Sequence, residues 1–247
     1  MPELAWYGWT LLAVAAVIVG LSKTAIPGAG TIAVAIFAVV LPARQSTGVL
    51  LLLLIVADVF AVTMYRRHAN WRELWRLLPA VVAGVAVGVV FLAFADDTWV
   101  KRTIGVILLG IVAITLFRRR MTSSVDRQRP HIAAAATYGS LAGFTTMVAN
   151  AAGPVMSMYF LARRFPVKEF LGTAAWFFAI INVFKVPFSI GVGILTPTGL
   201  LVDLVLVPAV VVGALGGRWI ADRIDQRVFE RLVIVLTIVG ALYLLVA

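Results

Sequence analysis

Polar residues divide the chain into ten apolar blocks. They cover residues 4–21, 26–41, 49–65, 74–94 and 104–117, then 132–149, 151–165, 170–190, 200–220 and 228–246. A polar, basic stretch at 118–131 separates the first five from the last five. A transmembrane helix needs about 20 predominantly apolar residues. The pattern therefore predicts an all-α polytopic membrane protein with about ten transmembrane segments. Several blocks are short, and the first two of each five read either as full spans or as half-helices. Half-helices are tolerated only where protein excludes lipid. Ten spans would use about 200 residues, which leaves almost nothing of 247 for an extramembrane domain, so one integral unit with no soluble catalytic appendage is expected. No Lys or Arg precedes the first block. A secretory signal carries positive charge there, so this block is expected to stay as a helix.

Composition agrees with the pattern. Hydrophobic residues make up 62% of the chain and charged ones 13%, with a mean hydropathy of +1.04. Soluble domains carry about 45–50% apolar and about 25% charged residues, which excludes a soluble domain, a disordered chain and a coiled coil. The net charge is +10. In a soluble protein that would suggest nucleic acid; here it reads as basic loops on the inner side of a membrane, with no nucleic-acid partner. If the N-terminus lies outside, inner loops hold seventeen of the 21 Lys and Arg residues. Outer loops then hold Arg44, Lys101 and Arg102, and Lys185 lies inside a block. That bias predicts ten crossings with both termini on the outer side. Trp71, Trp75 and Trp99 stand beside block ends, where interfacial anchors belong.

The two groups of five are copies of one pattern. With a shift of 124, Leu41-Pro42-Ala43-Arg44 meets Phe165-Pro166-Val167-Lys168, Gly48 meets Gly172, Asp58 meets Asn182 and Phe60 meets Phe184. With a shift of 129, Pro79, Gly84 and Gly88 meet Pro208, Gly213 and Gly217. An odd number of crossings per copy inverts the second relative to the first. The expected organisation is thus a first repeat over 1–117, a cytoplasmic linker over 118–131 and a second, inverted repeat over 132–247. Inverted repeats recur in secondary transporters, whose substrate site lies near midplane between them. The paired glycines form small-xxx-small faces suited to plain helix packing.

Candidate chemistry gathers at two links and two buried charges. The first link runs from Gly20 to Gly30 and carries Ser22, Lys23, Thr24, Gly28 and Gly30; the second runs from Thr146 to Pro154 and carries Asn150 and Gly153. Each places small residues and a proline where a helix restarts. Small residues let a ligand approach the backbone, and an exposed helix N-terminus attracts an anion. The alternative is a tight turn with one cytoplasmic lysine. Asp58 and Lys185 fall well inside apolar blocks, where an ionisable group is costly and marks a functional site. Asn182, Lys185 and Ser189 share a helical face. Lys185 suits an anion and Asp58 suits proton coupling. A structural Asp–Lys pair, or a Lys185 reaching for the outer surface, remains open.

Cysteine is absent, which rules out disulfides and thiolate ligands. His68 and His131 sit in basic loops and read as solvated. No metal site, cofactor, protease motif or nucleotide-binding loop is expected.

The residues resemble the sulfite exporter TauE/SafE family, also described as the toluene sulfonate uptake permease superfamily. The likeness covers essentially the whole chain. It rests on Pro27-Gly28-Ala29-Gly30 and its second copy Ala151-Ala152-Gly153-Pro154, on Gly172-Thr173, and on the Pro-x-x-x-x-Gly-x-x-x-Gly helix of both halves. Family members commonly carry three glycines in each link, reduced here to Gly-Ala-Gly and Ala-Ala-Gly. The resemblance implies a secondary transporter of a small sulfur-containing oxyanion, sulfite or an organosulfonate, in the bacterial inner membrane. The expected mechanism is proton-linked alternating access. Another solute, such as a carboxylate or a metal cation, is the alternative reading; a membrane-embedded enzyme is the third and is opposed by the lack of a nucleophile–base set.

Overall fold

The computed structural model describes residues 5–95 and 132–229, together with Trp99, Arg231, Leu232 and Val235. The fifth block, the stretch 118–131, His131, Lys101, Arg102 and most of the tenth block lie outside the described residues. Among the described residues, all regular structure is helical. Helix α1 (Trp6–Thr24) leads through a 3-10 turn (Pro27–Ala29) into α2 (Gly30–Val40) and then α3 (Ala43–Tyr65). A second 3-10 turn (Arg66–His68) precedes α4 (Trp71–Phe94). The later helices are α5 (Ile132–Ala149), α6 (Ala152–Ala162), α7 (Val167–Gly191) and α8 (Pro197–Ala221).

Five of these are long and apolar enough to cross a membrane: α1, α3 with its following turn, α4, α7 and α8. Helices α2 and α6 have 11 residues each. At about 1.5 Å per residue each covers roughly 16 Å, half of a hydrocarbon core about 30 Å thick. The second block of each group is therefore a short helix, as one of the two sequence readings allowed.

Helices α3, α4, α7 and α8 begin earlier than their apolar blocks because their first turns are polar or capped. Pro42 and Pro166 stand at the N-cap positions of α3 and α7. Asn70 Oδ1 accepts from the Glu73 amide at 3.1 Å, and Thr196 Oγ1 accepts from the Gly199 amide at 3.1 Å, capping α4 and α8.

Glycine decides which helices touch. A Cβ on Gly143 would lie 2.0 Å from the Val81 carbonyl oxygen, and one on Gly84 would lie 2.1 Å from that of Ser140. The same holds between α1 and α8, where Gly213 meets Val17 O at 2.0 Å and Gly20 meets Val210 O at 2.1 Å. Along α4 and α5, Gly139 meets Leu77 O whereas Gly88 meets Met147; along α1 and α8, Gly213 meets Val17 whereas Gly217 meets Leu21 and Thr24. Numbers thus rise together over the length of both contacts, so α4 runs parallel to α5 and α1 parallel to α8. Only glycine permits such backbone approach. Helices α3 and α7 cross antiparallel: Gly48 faces Ile194, Asp58 faces Asn182 and Gly172 faces Tyr65.

A polar cluster ties α4 to α6 and α7 at one end of this bundle. Buried Glu73 accepts from the Tyr159 hydroxyl at 2.7 Å and pairs with Arg163. Asn70 donates through Nδ2 to Glu169 Oε1 and through its backbone N–H to Thr173 Oγ1, each at 2.9 Å. Trp71 packs on Trp176 with ring centres 5.0 Å apart, and Trp75 is exposed. His68 is exposed in the second 3-10 turn.

Candidate functional site

Both helical breaks point into one cavity. In the first half the chain leaves α1 at Ala25, turns through Pro27–Ala29 and starts α2 at Gly30. In the second it leaves α5 at Ala149, turns at Asn150 and starts α6 at Ala152. Asn150 takes a left-handed φ of 54°, which asparagine tolerates better than most residues. Neither α2 nor α6 has a side-chain cap, so their first amide groups are unspent by side chains. Gly30, Thr31, Gly153 and Pro154, from those two helix starts, line the cavity. A Cβ on Gly153 would stand 3.1 Å from Pro27 O, which shows how closely the breaks approach.

The cavity holds about 560 Å³ of non-protein space, counting its open side. Its polar wall comes from Ser22, Lys23, Thr31, Thr146, Asn150 and Asn182. Its apolar wall includes Val34, Leu54, Ala174, Ala175 and Phe178. Two positive helix ends and one lysine thus border a mostly apolar chamber, an arrangement suited to an anion.

The charges on and behind this wall are all engaged by hydrogen bonds or an ion pair. Lys23 Nζ lies 2.8 Å from Asp58 Oδ1 and 4.0 Å from the centre of the Phe178 ring. Asn182 Nδ2 donates to Asp58 Oδ2 at 2.6 Å. Lys185 Nζ donates to Thr146 O and Thr146 Oγ1 at 2.9 Å each, and to Asn150 Oδ1 at 2.7 Å. Asn150 Nδ2 donates in turn to Thr47 O at 2.9 Å, which joins the second break to the start of α3.

The expected site residues fall into two sets. Ser22, Lys23, Gly30, Asn150, Gly153 and Asn182 line the cavity. Asp58 and Lys185 stand one layer behind it, bonded to residues that do. Thr24 turns the other way, its hydroxyl donating to Ala214 O at 2.9 Å on α8. Gly28 lies buried in the 3-10 turn, where its carbonyl accepts from Thr31 Oγ1. Lys185 does not reach the outer surface, being 1% exposed. Asp58 takes Lys23 as its ion-pair partner rather than Lys185.

A family model for the sulfite exporter TauE/SafE matches residues 12–244. The chain belongs to the sulfite exporter TauE/SafE family. It is accordingly a multi-pass membrane transport protein, and the family description points to sulfite-type anions. Neither the curated proteins nor the solved structures compared with this TauE/SafE chain give a match.

Several residues of this TauE/SafE cavity carried little sequence signal. Thr31 and Phe178 read as ordinary helix residues, and Thr146 only as the first position of the second link. The lysine at 23 pointed to the first link, but its partner 35 positions later did not follow from any spacing. Asp203 in α8 is 6% exposed, and among the described residues neither carboxyl oxygen has a hydrogen-bond partner. It reads in the sequence as one acidic residue in an apolar block, the same signal that marked Asp58.

Proposed function

We propose that this protein is a secondary transporter of a small sulfur-containing oxyanion, sulfite or an organosulfonate, across the bacterial inner membrane. The anion sits in the cavity between the two helical breaks and moves by proton-linked alternating access. Ten segments form two inverted repeats, 1–117 and 132–247, joined by a cytoplasmic linker over 118–131, with both termini in the periplasm. Ser22, Lys23, Gly30, Asn150, Gly153 and Asn182 contact the anion. Asp58 couples the proton, and Lys185 holds the second break in place.

One observation carries this reading: two uncapped helix N-termini from different halves line the same cavity, beside Lys23. Discontinuous helices with their positive ends on an anionic group are a recurring device of transporters built from inverted repeats. The parallel packing of α1 on α8 and of α4 on α5 supports the repeat, because the 124 and 129 shifts exchange these two contacts. The Asp58–Asn182 bond joins two positions that the repeat makes equivalent. A metal cation as cargo is disfavoured because Lys23 and Asn182 already occupy both oxygens of Asp58.

The test is uptake of labelled sulfite, methanesulfonate, sulfate and acetate into proteoliposomes, with and without an imposed pH gradient. Gradient-stimulated accumulation of the sulfur oxyanions is expected. Accumulation of none of these anions under either condition would refute the reading.

A further inference from the structure

The cation on the cavity wall is Lys23, and it is already engaged. Its ammonium holds Asp58 Oδ1 at 2.8 Å and lies against the Phe178 ring. The second cation, Lys185, is committed to three neutral oxygens and lies behind the wall. An oxyanion entering the cavity therefore meets one lysine whose partner is a carboxylate of the protein itself. Carboxylate and sulfonate oxygens seek the same charge-assisted hydrogen bonds from an ammonium. Placing both anions on one ammonium where the side chains are this buried brings strong repulsion.

We propose that the Asp58 carboxylate is an internal competitor of the cargo, so that the anion binds Lys23 only when a proton on Asp58 releases it. This rests on anion transport through this cavity. The empty site holds the pair Lys23 cation and Asp58 anion. The loaded site holds the Lys23 cation, the cargo anion and neutral Asp58. One proton thus arrives from water on Asp58 Oδ1 as one monovalent anion arrives, and it returns to water when the anion leaves and the ion pair re-forms. The formal charge inside stays constant through the exchange, so no step adds an uncompensated buried charge. Asn182 Nδ2 donates to Oδ2 in both states and keeps the carboxyl oriented.

The neighbouring charges leave this exchange to the pair itself. On α7, Lys185 is the other cation that acts on Asp58, while Lys168 and Glu169 lie in the first turn. On α8, Asp203 and Arg218 lie toward the two ends of the helix. Helix α2 carries no charged residue, and α1 contributes Lys23 alone.

Equilibrium binding of methanesulfonate to the full-length protein in lipid nanodiscs tests the proposal, since this probe stays ionised at every pH used. Wild-type affinity should fall about tenfold for each pH unit on the alkaline side, as linkage to one proton requires. Asp58→Asn should bind at least as tightly as the acidic wild type, with no dependence on pH. The double variant Lys23→Met/Asp58→Asn keeps the site neutral and should lose about a hundredfold in affinity. Should Asp58→Asn fail to fold, proton uptake by the wild type in weakly buffered solution decides: one proton per anion bound is expected. A pH dependence that persists in Asp58→Asn, or wild-type binding without proton uptake, overturns the competition and leaves anion transport standing. If neither wild type nor Asp58→Asn binds methanesulfonate or sulfite at any pH, the anion reading fails and takes the competition with it.

Discussion

Lys185 gives all three protons of its ammonium to Thr146 and Asn150, so its charge braces the turn between α5 and α6. Lys185→Met should leave those oxygens without a donor and cost about 1–3 kcal/mol for each that stays dry, read as a lower melting temperature in detergent. Anion affinity should weaken with it, through misplacement of Asn150. Lys185→Arg should recover little, because a planar fork does not fit three acceptors arranged around a point charge. Asp203 predicts the opposite sign. Its buried carboxyl has no hydrogen-bond partner among the described residues, and an apolar residue of similar size removes an unmet desolvation cost. Asp203→Leu should raise the melting temperature, and a drop would reveal a bond that this conformation lacks. At this scale the sequence was informative about which residues are unusual and silent about whom they meet. The copy alignment put Asp58 opposite Asn182, and they bond. Nothing along the chain put Asp58 beside Lys23 or Glu73 beside Tyr159 and Arg163, because such meetings depend on how helices stack.

Between elements, contact is governed by glycine backbones pressed against carbonyl groups. Gly143→Ala and Gly213→Ala each place a methyl about where a carbonyl oxygen now lies, 2.0 Å away. Overpacking of a close contact costs typically about 1–3 kcal/mol and more where backbone must move, so both variants should lose yield and melt earlier. Gly216, with no atom of the described residues within 4 Å of its would-be Cβ, is the control; Gly216→Ala should match the wild type in size-exclusion profile and melting temperature. The helices themselves were largely legible as apolar blocks, α5 to the residue. Their starts were less so, because caps such as Asn70 and Thr196 are polar and fall outside any apolar run. The shortness of α2 and α6 followed only in part, since an apolar stretch of about 15 residues suits either a short span or a half-helix.

On the scale of the whole molecule, the basic loops and the packing directions predict that both termini face the periplasm. A reporter active only in the cytoplasm, fused after Ala247, should stay dark; strong signal there defeats the ten-crossing arrangement. The same packing has a consequence for the order in which the protein is made. Helix α1 finds its main partner in α8, so Thr24 bonds to Ala214, 190 positions later. Helix α4 likewise waits for α5. A nascent chain that has inserted only its first half therefore holds Gly20, Gly84 and Gly88 against lipid tails, which cannot fill those notches as a neighbouring backbone does. Among the described residues, the closest backbone contacts of each half are made with the other half. A chain stopped after Phe94 should be cleared by membrane proteases, while residues 1–117 and 118–247 made as separate polypeptides in one cell should protect each other from degradation. The contact of α1 with α8 can close only after α8 has been made.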